Sequence, residues 1–196
     1  MVFVKKTLTD CLQSIADRHE SSGTLPTSSA TLTYWTRLLN KGVNYCADKL
    51  RLEKSGSSTV ASGTVALPDD FLIMNKVFDA SNNEWAMVDP DDVPNQAGNA
   101  YWVTGNQMDG FYLNTNTDGI YTIKYAFKPT EMVNGTDKCV IPDLEAPVAY
   151  AYAMIRKGES DPFEDADKAL AECDSRLAEM LSAYSINSNF QGFSWE

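Results

Sequence analysis

IYTIKYAF, Ile120 to Phe127, sets Tyr121, Ile123, Tyr125 and Phe127 at every second position. A period of two puts all four on one face of a β-strand. Further on, DPFEDADKALAECDSRLAEMLSAY, 161–184, keeps a different period. Its apolar residues fall at Phe163, Ala166, Leu170, Cys173, Leu177, Met180 and Tyr184, in steps of three and four. That is the seam of a helix packed in a bundle. One chain of 196 residues therefore holds a strand region and a helical region.

The signals extend outward from these two stretches. Asp161 suits the N-cap of the long helix, Pro162 its first turn, and Glu164 completes a capping box. A helix before it starts near Asp143 and runs through PVAYAYAMIRK, with Pro147 in the opening turn and Gly158 as the stop. At the other end, Leu8, Leu12, Ile15 and His19 recur at helical spacing, as do Leu32, Trp35, Leu39, Cys46 and Leu50. ESSGTLPTSS separates the two, and Ser28 or Ser29 can cap the second helix. Short strands are expected at Val65–Leu67, Leu72–Phe78, Trp85–Val88, Tyr101–Val103, Met108–Leu113 and Ile120–Phe127. Gly105-Asn106 and Asp118-Gly119 read as hairpin turns.

The expected class is α+β: terminal helices forming one helical bundle, with a small antiparallel β-sheet subdomain inserted between them. The segments are 1–56 (N-terminal helices), 57–130 (β subdomain), 131–184 (C-terminal helices) and 185–196 (extended tail).

The net charge of −11 argues against a surface that grips phosphate backbones, which needs clustered Lys and Arg. It is compatible with a wall past which DNA slides. No apolar run follows Lys5 and Lys6, so no signal peptide is read, and no apolar stretch is long enough to span a membrane. Cys11, Cys46, Cys139 and Cys173 stand far apart in sequence, without the spacing of a zinc site, and read as buried thiols of a reducing compartment.

Candidate chemical sites fail on spacing. Asp69 and Asp70 are adjacent, whereas a catalytic carboxylate pair must aim at one bond from several ångströms apart. After Pro68 they read as a turn. NTNTDG, Asn114–Gly119, imitates the start of a calcium loop, but Tyr125 stands where a bidentate Glu is required. Asp89, Asp91 and Asp92 fail likewise, with Pro94 at the glycine position. His19, the single histidine, has no Ser or Cys signature near it and reads as structural. Phosphate-binding glycine loops are absent. Tyr101, Trp102, Phe111, Tyr112, Tyr121 and Tyr125 crowd the strands, where core packing competes with a carbohydrate-binding face. No catalytic, cofactor-binding or metal-ligating residue is assigned, and no enzyme activity is expected.

SINSNFQGFSWE, 185–196, has no periodic element, yet it spaces Phe190, Phe193 and Trp195 through polar residues. Three large aromatics are unusual in a purely solvating tail. Either the segment folds back on its own domain or it anchors in a partner.

The order of these pieces resembles the head-to-tail adaptor (connector) proteins of tailed bacteriophages. LPDDF, YWVTGNQMDGFYLN, IYTIKYAFKP and the Ala-rich IPDLEAPVAYAYAMI carry the likeness, over nearly the whole chain. The resemblance implies a homo-oligomeric ring, typically a dodecamer, beneath the portal protein in the virion neck. The helices would build the ring, and the β subdomain would face the tail or nozzle protein or the outside. DNA would cross the channel without specific binding, and assembly would take place in the host cytoplasm. Phe190, Phe193 and Trp195 would dock on the portal or a neighbouring subunit. The likeness brings no catalytic residues and no cofactor. NTNTDG departs from the Pro-bearing turn expected at its position. Two rival classes are a tail- or fibre-associated glycan-binding module and a peptidoglycan-degrading enzyme.

Overall fold

The structure is a computed structural model, and it describes residues 6–19, 23–95, 98–159 and 163–186. The chain divides into two compact units: of the described residues, 6–51 and 129–186 form a helical unit and 52–128 a β unit. The class is α+β, as expected.

The helical unit holds α1 (Leu8–His19), α2 (Ser29–Leu50), α3 (Glu145–Gly158) and α4 (Phe163–Ile186). Thr7 and Asp10 cap α1 reciprocally. The Thr7 amide donates to Asp10 Oδ2 at 2.9 Å, and the Asp10 amide donates to Thr7 Oγ1 at 3.2 Å. Ser28 caps α2, its Oγ accepting from the Thr31 amide at 3.4 Å. Arg51 ends α2 in the left-handed region, φ 49°. At α3 the Asp143 carboxylate accepts from the Glu145 amide at 3.0 Å, and Pro147 falls in the first turn, where its missing N–H costs nothing.

α3 is the centre of this unit. Ala146, Val148, Ala149, Ala151 and Ala153 are 0 % exposed and Ile155 1 %, and α1, α2 and α4 all pack on it. Small side chains let the neighbours come close. At Gly42 of α2, an added Cβ would lie 2.7 Å from the carbonyl oxygen of Pro147. On α4, Ala166, Cys173 and Leu177 are buried as the seam requires, Ala169 joins them, and Leu170 and Met180 are half-buried. Asp161 and Pro162, together with the side chains of Phe163, Glu164 and Tyr184, lie outside the described residues.

Charged groups tie the helices together. Arg18 of α1 donates to Glu172 of α4 at 2.8 Å and to Glu145 of α3 at 2.6 Å. Arg176 donates to Glu172 and to Asp143, each at 3.1 Å. The hydrogen bond from Arg18 is the main reason that the Glu172 carboxyl is held down at about 2. His19 reaches Glu159 at 2.8 Å, with its ring against Trp35 and Tyr152. The four thiols are free and buried. The fold brings them together as Cys11 with Cys139 and Cys46 with Cys173. A hydrogen bond from the partner thiol, and then burial, push Cys11 and Cys46 up.

The β unit differs in detail from the single antiparallel sheet expected. Its strands are β1 (Glu53–Val60), β2 (Thr64–Ala66), β3 (Phe71–Phe78), β4 (Ala86–Met87), β5 (Ala100–Asn106), β6 (Gly110–Thr115) and β7 (Gly119–Phe127). They form two sheets, ordered β1-β7-β3 and β2-β6-β5-β4. The β4–β5 pair is parallel and the other ladders are antiparallel. One core lies between the sheets: Tyr121, Ile123, Tyr125 and Phe127 of β7, all at most 5 % exposed, meet Leu113 of β6 and Tyr101 of β5. The alternation in IYTIKYAF is thus a core face.

Two turns correct the expected ones. The β5–β6 hairpin turns after Asn106, whose Oδ1 accepts from the amides of Met108 (2.8 Å) and Asp109 (3.1 Å). Met108 is therefore a turn residue, 94 % exposed, and not a strand residue. Gly105 has φ +103°, and a Cβ there would lie 2.1 Å from the Gly110 carbonyl oxygen, so only glycine fits. Asp118-Gly119 is no hairpin, because β6 and β7 belong to different sheets. The tight turn is Ser62-Gly63, both at positive φ, and the Asp118 carboxylate accepts from both of their amides at 3.0 and 2.8 Å. β1 itself was not expected: Gly56 and four Ser or Thr residues hide its strand character.

Two outcomes follow. Leu177→Asp puts an unpaired charge at a 3 % exposed site and should unfold the helical unit, at a cost of several kcal/mol. Leu170→Asp, on a half-buried site, should cost clearly less; denaturant titration of both variants measures the order. The second outcome concerns acid. The folded Glu172 carboxyl lies at about 2 against an ordinary 4.5. Its contribution is therefore fully present above about 4.5 and is lost as pH falls towards 2. Melting temperature should fall over that window, and Glu172→Gln should flatten that fall.

Candidate functional site

Asp70 is a structural carboxylate. The Phe71 amide donates to the Pro68 carbonyl at 2.9 Å, closing a turn that contains Asp69 and Asp70. Asp70 accepts from Lys54 Nζ and, at 3.2 Å, from the Tyr125 hydroxyl. Its backbone carbonyl accepts from the Lys128 amide at 2.7 Å. Lys54 Nζ also lies 4.3 Å from the centre of the Phe127 ring. Burial, and then the Asp70 charge, raise the Tyr125 hydroxyl to about 12. The turn thus bolts β1 and β7 to the start of β3 and aims no second carboxylate at a common point.

The other candidates resolve in the same way. The Asp118 carboxylate of NTNTDG is spent on backbone amides. Among the described residues, no three of His, Cys, Asp and Glu stand where they could share a metal ion. No described helix is long and apolar enough to cross a membrane. Of the sheet aromatics, Tyr101, Tyr121 and Tyr125 are in the core, Trp102 and Phe111 are half-buried, and Tyr112 is 40 % exposed. Among these described rings, Tyr112 is the one classed as exposed. Phe190, Phe193 and Trp195, the expected docking residues, lie outside the described residues.

One surface was not read from the sequence. A groove of about 620 Å³ opens in the helical unit between α1, one side of α2 and the segment 131–135. Leu8, Leu12, Leu32 and Met132 supply its apolar floor. Asn40 fixes that floor: its amide donates to the Met132 carbonyl at 2.9 Å, while its Oδ1 accepts from the Met132 amide at 3.0 Å. Arg37 and Lys41 line the rim, and both are exposed. The sequence signal was present but weak. Leu32 belongs to the helical period, yet Thr33, Thr36, Asn40 and Asn44 beside it make the same face read as solvated.

A binding surface fits the chemistry of these residues better than a reaction does. A model of the SU10 adaptor protein family matches residues 6–192. The chain belongs to the SU10 adaptor protein family. This is a family of structural phage adaptors and not an enzyme family, so the protein is a bacteriophage virion component with an adaptor role. No curated protein matches the chain. The match spans both helical segments and the whole β unit.

The Asp70 geometry is directly testable. Asp70→Ala leaves the Tyr125 hydroxyl and the Lys54 ammonium without their acceptor and should cost on the order of 1–3 kcal/mol. Asp69→Ala should stay within about 0.5 kcal/mol, as surface changes do. Equal losses for the two, measured by urea titration, would contradict the assigned roles.

Proposed function

We propose that this SU10-family adaptor joins the DNA-filled head to the tail. Copies of the chain form a ring, a dodecamer, under the portal protein in the virion neck, assembled in the host cytoplasm. The family match over residues 6–192 carries the reading. The helical segments within 1–56 and 131–184 build the ring. The β subdomain within 57–130 meets the tail or nozzle protein or faces outward. The net charge of −11 supports a channel that DNA crosses without sticking. The segment 185–196 is the docking tail, and Phe190, Phe193 and Trp195 are its anchors on the portal or a neighbour. Each ring can bury on the order of 150–250 Å². A single tail would bind modestly, and a ring presenting many tails would bind strongly.

The glycan-binding reading loses its main support because Tyr101, Tyr121 and Tyr125 are buried. Deleting residues 187–196 should leave helix and strand content unchanged by circular dichroism but prevent stable attachment to portal-bearing heads. Phe193→Ala with Trp195→Ala should reproduce most of that defect. Retention of the truncated chain on heads at the wild-type level, read by sedimentation, would place docking on the folded surface instead.

A further inference from the structure

We infer that the groove between α1 and α2 receives the exposed side of α4 from a second copy of this chain. The inference rests on the ring reading and gives it a contact.

The first argument is charge. The groove has an apolar floor with Arg37 and Lys41 exposed at its rim, and neither forms an ion pair with a carboxylate among the described residues. One acid, Glu131, also lines it. One exposed side of α4 carries the opposite sign: Asp167, Ala171, Asp174, Ala178 and Leu181, spaced by four and three, share it. Asp167 and Asp174 have partial local partners, Lys157 at 3.6 Å and the Tyr45 hydroxyl at 2.8 Å. Charges of opposite sign on two surfaces steer those surfaces together and fix their register.

The second argument is shape. Ser29 and Asn44 mark the ends of the groove along α2, a span of about 22 Å at 1.5 Å per residue. The exposed strip of α4 from Asp167 to Leu181 spans about 21 Å by the same measure. Between its charges the strip exposes Ala171 and Ala178, which let a helix backbone approach closely, and then Leu181 at 43 % exposure. Leu181 is the apolar group that such a floor would take from water.

The third argument is direction. Tyr45 lies on the side of α2 that meets α4 of the same copy, while Thr33, Thr36, Asn40 and Asn44 face the groove on another side. The two patches are different surfaces of one unit, so in the ring reading their contact repeats head-to-tail. A head-to-tail contact closes into a ring or propagates as a filament, and it cannot stop at a symmetric dimer.

The test uses two full-length variants at exposed positions, Arg37→Glu with Lys41→Glu in the groove, and Ala178→Gln with Leu181→Gln on α4. Both should melt like the wild type. Analytical ultracentrifugation should show the wild type associating beyond a dimer, and each variant alone associating at least tenfold more weakly. An equimolar mixture should give a 1:1 dimer that grows no further, because only one intact groove and one intact α4 surface remain to meet. Variants that assemble like the wild type overturn the inference, as does a wild type that stays monomeric at every concentration. So does a chain lacking 187–196 that loses association while the groove variant keeps it, since the tail would then be the occupant. The subunit count on portal-bearing heads judges the ring reading separately: a ring there beside failed α2–α4 variants leaves that reading standing.

Discussion

Arg18 joins pieces of chain that the sequence keeps far apart. It lies on the first helix, and its two acidic partners, Glu145 and Glu172, lie on helices that follow the whole β unit. A helical unit made from both ends of a chain must pull those ends together against loop entropy. Apolar burial around α3 supplies most of that drive, but apolar surface is indifferent to rotation and sliding. A guanidinium forked between two carboxylates is not indifferent. It sets the register of α1 against α3 and α4 together, and Arg176 extends the same network to Asp143 at the head of α3. These groups are partly exposed, so their contribution lies in specificity more than in net stability.

What was legible in the sequence follows the strength of each period. α4 shows its seam because Ala166, Leu170, Cys173 and Leu177 follow one another in steps of four, three and four with acids between them. IYTIKYAF shows its face because four large residues share one parity. β1 was hidden because its inward residues are small and its neighbours are Ser and Thr, so no apolar alternation marks it. The division into two sheets was hidden for a different reason. Strand order is a non-local fact, and Asp118-Gly119 has the chemistry of a hairpin turn although its carboxylate serves the turn at Ser62-Gly63. A side chain that satisfies someone else's backbone leaves no local mark.

The candidate surface shows the same limit. The groove is assembled from α1, α2 and residues 131–135, which no window of sequence holds at once. Only Leu32, an apolar residue of α2 left half-buried, hints that the core ends there. The acidic motifs were easier to read, because each carried its own disqualifying neighbour. Membership of an adaptor family agrees with a molecule whose polar side chains mostly hold its own loops and helices in place.

The pairing of Glu53 with Ala126 has a mechanical side. The chain enters the β unit just before the first of these residues and leaves it just after the second, so both crossings sit at the same end of one antiparallel ladder. Tension applied across the crossings pulls β1 and β7 apart from that end. The ladder then opens like a zipper, one pair at a time, and does not resist as a block in shear. Lys54, held by Asp70 and by the Phe127 ring, sits at the second rung of that zipper. A pulling force meets more than backbone hydrogen bonds from the start, at Glu53, which accepts from the Asn75 side chain, and then at Lys54 with its two partners.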